Sequence, residues 1–317
     1  MSIITAYLMG GLGNQLFEAS HALCQGWKHN REVIFSPHSQ TPGQGRNASN
    51  YVNNVFRNLK FSDKLQGFTD VREGSFEYRG VRPLDTNTSF YGYYQSTKNW
   101  FGYDEKIREI FQPPTELVDE FIKKYPQLLE PNTLSLHVRR SEYLQFPEIH
   151  PTITLEYIQE ALKLIGEYST VFVFSDDHDF VKENLKFNDV VYVNESEDWE
   201  ELWLMGLCNN HIISNSTFSW WGVFLNQDKN KKIVATEQFF DFAVDKTWSE
   251  DLRMKGTIDL ITEISDDIYE VIDYKTGKRI DWATGEQKTE EKLKHDPQLL
   301  IYFFALKRLY PDKDFIF

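Results

Sequence analysis

Cysteine is nearly absent: Cys24 and Cys208 are the only two in a chain of 317 residues. They stand far apart, each in a helical or apolar setting, which excludes a disulfide framework and fits two reduced, buried thiols. Positive charge is also short, since 34 Lys and Arg face 48 Asp and Glu for a formal net charge of −14. Such a chain repels a polyanion, so nucleic acid is not the expected partner of its main body. No apolar run reaches the roughly 18 residues needed to cross a bilayer. The opening "MSIITAYLMGGLGNQLF" has no Lys or Arg before its apolar run and meets glycines at once, which predicts a first strand and turn rather than a signal peptide. A cytoplasmic address is expected, with peripheral attachment to a membrane left open. The sequons at Asn47, Asn87, Asn194 and Asn215 matter only in a secreted protein.

What is present points to a globular α/β protein. Apolar residues make up 41% and aromatics 15%, more than a disordered chain carries, and the length allows more than one compact unit. Residues 3–25 read as strand, glycine turn and helix, and "REVIFSPH" as a second strand. The stretch 41–96 has little pattern, and a helix is expected near 103–111. A cleaner alternation follows: the helix "TELVDEFIKKYPQLL", the strand "TLSLHVRR", the helix "TLEYIQEALKLIGEY", the strands "TVFVFSDD" and "VVYVN". It continues with the helix "DWEELWLMGLC", the strand "HIISN", the helix "TFSWWGVFLNQ" and the strand "KKIVAT". Apolar strands alternating with helices predict a parallel, doubly wound sheet. After about Trp248 the texture changes, so the expected division is a domain at 1–248 and a smaller segment at 249–317.

A glycine turn and three further strand ends carry candidate chemistry. "GGLGNQLFEA" places Gly10, Gly11 and Gly13 between strand and helix, where backbone N–H groups could approach a phosphate; a plain tight turn explains the same glycines. "HVRRSEY" ends a strand with His137, Arg139 and Arg140 beside Glu142. Guanidinium forks match phosphate bidentately and could neutralise a diphosphate leaving group without a metal, while a surface Arg–Glu pair is the ordinary alternative. In "FSDD", Asp176 and Asp177 could receive sugar hydroxyls or cap a helix. In "SNSTFSWWG", Ser216 and Thr217 could cap a helix whose first N–H groups bind phosphate. Trp220 and Trp221 fit a core better than a sugar platform. Together the three ends suggest a nucleotide-sugar site, with no metal-ligand spacing in this region.

These motifs, in this order, resemble the alpha-1,2-fucosyltransferases of glycosyltransferase family 11, over about residues 3–245. The resemblance implies a GT-B-like fold of two nucleotide-binding-type halves with parallel sheet. It also implies GDP-fucose as donor, a galactose-containing glycan as acceptor at its 2-hydroxyl, inversion at the sugar carbon, and no required metal. By position, Arg139 and Arg140 would hold the diphosphate with His137 shaping the pocket. Asn14 and Gln15 would lie near the fucose and phosphate beside Gly11, and Asn215, Ser216, Thr217 and Ser219 near the nucleotide. The family usually reads Gly-Asp where this chain has Ser141-Glu142; Glu142 and Asp177 are the candidates for general base. A non-catalytic nucleotide-sugar binder is the plainer alternative.

The tail carries a different constellation. Asp259 in "GTID" ends one strand-like run, Asp273 and Lys275 lie in "VIDYKTGK", and Gln298 with Tyr302 share a helix face four residues apart. Two carboxylates from neighbouring strands can hold Mg²⁺, and a nearby Lys can activate water. This segment resembles the PD-(D/E)XK nuclease superfamily, which implies a small α+β restriction-endonuclease-like core and, as an alternative function, Mg²⁺-dependent DNA exonuclease activity. The expectation is a fusion of a nearly whole fucosyltransferase with a truncated, inactive nuclease core.

Overall fold

The structure is a computed structural model describing residues 2–38, 45–74, 78, 80–140, 143–145, 152–235, 238–243, 253–258, 260–265, 268–272, 302, 303, 306, 307, 310 and 313–316. The first half builds on a parallel sheet of three strands, β1 (Ile4–Ala6), β2 (Thr69–Arg72) and β3 (Thr88–Tyr91), in the order β1-β3-β2. Gly10 turns the chain after β1 with φ +72°, a conformation that costs a side-chain-bearing residue. Helix α1 (Leu12–His29) follows and is buried along most of its length. It ends where Asn30 adopts the left-handed conformation and donates its N–H back to Gly26 and Trp27.

The expected second strand "REVIFSPH" does not form a ladder. It runs extended and pairs as β-structure only at the isolated bridges Ile4↔Val33 and Phe35↔Phe61 among the described residues, and Pro37 removes a donor just beyond them. Helices α2 (Asp104–Phe111) and α3 (Thr115–Lys124) lead into the second half. The helix expected through 129 stops at Lys124, and Pro126 starts a separate 3-10 turn, Pro126–Leu129.

The second half is the parallel sheet that the alternation predicted. Its strands are β4 (Leu134–Val138), β5 (Val171–Ser175), β6 (Val190–Tyr192), β7 (Asn210–Ile213) and β8 (Ile233–Ala235). They lie in the order β6-β5-β4-β7-β8, all parallel. β4 and β7 are buried at every position, as strands covered on both faces must be. Helix α4 (Leu155–Ile165) is capped by Thr154, whose hydroxyl accepts from Tyr157 N–H, and buries Tyr157, Ile158, Ala161 and Ile165 along one stripe. Gly166 at φ +79° ends it. Helices α5 (His178–Asn184), α6 (Asp198–Gly206) and α7 (Thr217–Leu225) complete the units; α5 is the helix that the capping reading of "FSDD" implies, with Asp177 as its N-cap.

One aromatic cluster joins the halves. Phe17 of α1 packs on Trp100, Trp220 and Trp221, with ring centroids 4.9 to 5.4 Å away. Trp221 is fully buried and Trp220 partly so against the same core, which makes them packing residues. Both cysteines are free and buried. Beyond β8, strands β9 (Gln238–Ala243) and β10 (Arg253–Ile258) form an antiparallel pair across residue 248. β11 (Leu260–Ser265), β12 (Ile268–Ile272) and β13 (Asp314–Ile316) make a mixed sheet in the order β11-β12-β13. Among the described residues no helix is long and apolar enough to cross a membrane.

Candidate functional site

Strand order places the site. In the five-stranded sheet the chain winds outward from β4 through β5 to β6, then returns to start β7 on the other side of β4. The crevice outside the carboxyl ends of β4 and β7 is therefore a topological switch point, where open α/β sheets bind ligands. Arg139 and Arg140 follow β4 directly, and Ser214 to Thr217 follow β7.

The two arginines are held by the next strand end. Arg139 Nε lies 3.4 Å from Asp176 Oδ2, and Arg140 Nε donates to Asp177 Oδ2 at 3.3 Å. Asp176 Oδ1 also accepts the backbone N–H of Arg140 at 2.8 Å, and the Arg140 guanidinium stacks 3.5 Å from the centre of the Phe180 ring. Both arginines stay partly exposed, at 34% and 18% of their side-chain surface, so they are pre-oriented yet open to the crevice. Asp177 is the N-cap of α5, its Oδ1 accepting from Phe180 N–H at 3.0 Å. The carboxylates "FSDD" thus position arginines and cap a helix.

Three of the expected site residues work from behind the crevice. His137 is buried, and its Nδ1 lies 2.7 Å from the Ser214 hydroxyl. Burial, with help from Arg139, lowers its pKa to about 3, so it is neutral. Gln15 is fully buried, and its Nε2 donates to the carbonyls of Gly10 at 2.9 Å and Arg46 at 2.7 Å. Ser219 is fully buried as well, its hydroxyl turned back to the carbonyls of Ser214 and Ser216.

The start of α1 meets the start of α7. A Cβ on Gly13 would lie 2.5 Å from the backbone nitrogen of Phe218 and from the carbonyl carbon of Thr217, so only glycine permits this approach. Thr217 Oγ1 donates to Asn14 Oδ1 at 2.8 Å. Ser216 caps α7 through Phe218 N–H. Asn215 is exposed, and its carbonyl accepts from the Tyr143 hydroxyl at 2.9 Å. Gly11 caps α1 with open space before it. Two helix N-termini and two guanidinium groups therefore border one crevice, each suited to an anion.

Sequence reading missed two contributors. Gly45, at φ +74°, packs so closely that a Cβ there would sit 2.0 Å from the Gly10 carbonyl oxygen. Gln95 donates from Nε2 to Asn14 Oδ1 at 2.9 Å. Both lie in the unpatterned 41–96 stretch, where no periodicity singles out a residue. Glu142, Asp259, Asp273, Lys275 and Gln298 lie outside the described residues. Tyr302, expected on a helix face with Gln298, is buried. Among the described residues no group of three or more His, Cys, Asp or Glu is arranged to hold a metal ion.

The model of Glycosyl transferase family 11 matches residues 45–251, and that of the PD-(D/E)XK nuclease superfamily matches residues 191–314. Among curated proteins, the chain is similar to an alpha-1,2-colitosyltransferase of Escherichia coli, 27% identical over 75% of this chain and 93% of that protein. It is also similar to the O-antigen biosynthesis glycosyltransferase WbnK of Escherichia coli, 26% identical over 74% of this chain and 93% of that protein. Among solved structures, the fucosyltransferase NodZ from Bradyrhizobium aligns over 74% of this chain and 95% of its own, at 16% identity and a TM-score of 0.47. The chain belongs to glycosyl transferase family 11 and is a glycosyltransferase with a PD-(D/E)XK nuclease superfamily match toward its C-terminus.

Proposed function

We propose that the chain transfers L-fucose from GDP-fucose to the 2-hydroxyl of a galactoside on a glycan, with inversion at the sugar carbon and without a metal ion. One observation carries the reading: Arg139 and Arg140, pre-oriented by Asp176 and Asp177, stand at the switch-point crevice that also receives the α1 and α7 N-termini. This donor set suits a diphosphate whose negative charge grows as the glycosidic bond breaks. Arginines and helix dipoles supply that stabilisation where other enzymes use a divalent cation. Inversion requires a base on the face opposite the leaving group. Asp177 is engaged by Phe180 N–H and Arg140, which leaves Glu142 as the base in this reading.

The parallel rhythm ends at β8, which supports the division into a transferase domain at 1–248 and a nuclease-like segment at 249–317, with the β9/β10 pair bridging the two. The donor has a second candidate, because one relative is named a colitosyltransferase.

The test is calorimetric titration of the chain with GDP in EDTA, repeated with Arg139→Ala, followed by incubation with GDP-fucose or GDP-colitose and galactosides. Metal-independent binding lost in the variant, and a product fucosylated at the 2-position, are expected. Unchanged GDP affinity in Arg139→Ala would sink the role of the arginines; transfer of colitose alone would replace the donor.

A further inference from the structure

Tyr94 is the strained point of the first half. It is a buried aromatic residue with φ of 50°, a left-handed conformation that bulky side chains rarely adopt. Its surroundings hold it there from several sides. The Tyr94 N–H donates to Glu73 Oε2 at 2.9 Å, and its hydroxyl donates to the Val71 carbonyl at 3.1 Å. Its ring stacks on His21 with centroids 3.9 Å apart, and Asn99 Nδ2 donates to its carbonyl at 2.9 Å.

This turn displays the next side chain. Gln95 is exposed, and its Nε2 donates to Asn14 Oδ1 at 2.9 Å, while the Thr217 hydroxyl donates to the same oxygen at 2.8 Å. A carbonyl oxygen has two lone pairs, and here each has a donor. Rotating the Asn14 amide would lose both bonds. Its NH2 group is thereby the part turned to Gly10 in the glycine turn; a Cβ on that glycine would lie 2.7 Å from Asn14 Nδ2. The two accepted bonds also polarise the amide, which strengthens its N–H groups as donors.

We propose that Gln95 is a positioning residue for the transfer reaction. It acts through Asn14, fixing the amide so that NH2 and not the carbonyl oxygen faces the anionic part of the donor. This rests on the reading that the crevice receives a nucleoside-diphosphate sugar. The strained backbone at Tyr94 is what brings Gln95 to that oxygen.

The experiment uses the full chain with Gln95→Ala and Gln95→Glu, each alone and combined with Asn14→Ala. A glutamate cannot donate to Oδ1, and its carboxylate attracts the Asn14 NH2, turning the carbonyl oxygen toward the donor anion. Loss of one aligning hydrogen bond should lower kcat about tenfold in Gln95→Ala. Gln95→Glu should lower it further, with the melting temperature and acceptor KM unchanged. In the Asn14→Ala background neither change should reduce kcat again. Wild-type kcat in Gln95→Glu, or losses that simply multiply with Asn14→Ala, overturns the proposal. A wild-type chain that neither binds GDP nor transfers sugar overturns the functional reading instead. The clamp is then read from side-chain amide resonances of nitrogen-15 asparagine-labelled protein. An Asn14 NH2 pair displaced by Gln95→Ala supports it, and an unmoved pair overturns it.

Discussion

The hydroxyl of Thr217 donates to the Asn14 side-chain oxygen at 2.8 Å, across a separation of 203 residues. The bond ties the first turn of one nucleotide-binding-type half to the first turn of a helix in the other, and so fixes the spacing of the two N-termini that border the crevice.

Removing that hydroxyl with a near-isosteric apolar group should show what the tie contributes. Thr217→Val is expected to lower stability by about 1 kcal/mol, the net worth of one hydrogen bond, and to reduce kcat. Thr217→Ser should keep both near wild type. Denaturant unfolding and turnover on the same samples provide the check, and a Val variant equal to wild type in both would show that the bond is idle.

Gly13 and Gly11 offer a contrast within one turn. Gly13→Ala pushes a methyl into the backbone of Thr217 and Phe218; overpacking of this kind costs about 1–3 kcal/mol. Gly11→Ala meets nothing within 4 Å and should leave thermal stability near wild type. Melting temperatures of the two variants, side by side, test whether the halves touch where the structure says they do.

Arg139 can be tested without abolishing its charge. Arg139→Lys keeps the positive charge but loses the fork, and GDP binding should weaken by about 1–3 kcal/mol, the worth of a charge-assisted contact. Asp176→Asn should weaken it too, because Asp176 orients Arg139 and holds the Arg140 backbone. Calorimetry with GDP and with guanosine separates the diphosphate from the base: guanosine affinity should not change.

Glu18 gives a pH-dependent prediction. It is buried in α1 with Oε2 accepting the Met9 N–H at 2.8 Å, and burial raises its pKa well above the ordinary carboxylate value. A folded-state pKa above the unfolded one means the folded state binds the extra proton, so stability declines as pH rises above about 4.5. Glu18→Gln can still accept from Met9 and never ionises. Its melting temperature relative to wild type should rise between pH 5 and pH 8, roughly the interval where an unfolded glutamate is charged. A difference that is flat or shrinks with pH would contradict the burial of an ionisable carboxyl there.

Much of the second half was legible in the sequence because its strands are covered on both faces. "TVFVFSDD" is a continuous apolar run and "TLSLHVRR" an apolar run interrupted by Ser135 and His137; both end in charged residues, and the structure ends β4 and β5 where the charge begins. The motif residues around Arg139 and Thr217 were equally visible. Their division of labour was not. Ser219 and Gln15 sit inside the crevice motifs, yet helix phase turns both into the protein. "REVIFSPH" has strand composition, yet it forms only bridges, since pairing depends on neighbours that the local pattern does not name. Gln95 gave no signal at all, because what makes it matter is a strained tyrosine held by Glu73, Val71, His21 and Asn99.

By itself, then, the sequence determined the α/β class, the parallel rhythm and the order of the phosphate-suited motifs, since period and turn chemistry are properties of neighbouring residues. Only the tertiary structure decided which of those residues face the crevice and which brace it. That crevice is made where α1 and α7 touch at Gly13 and Thr217, and a contact between backbones so far apart in the chain is set by the packing of whole sheets and helices.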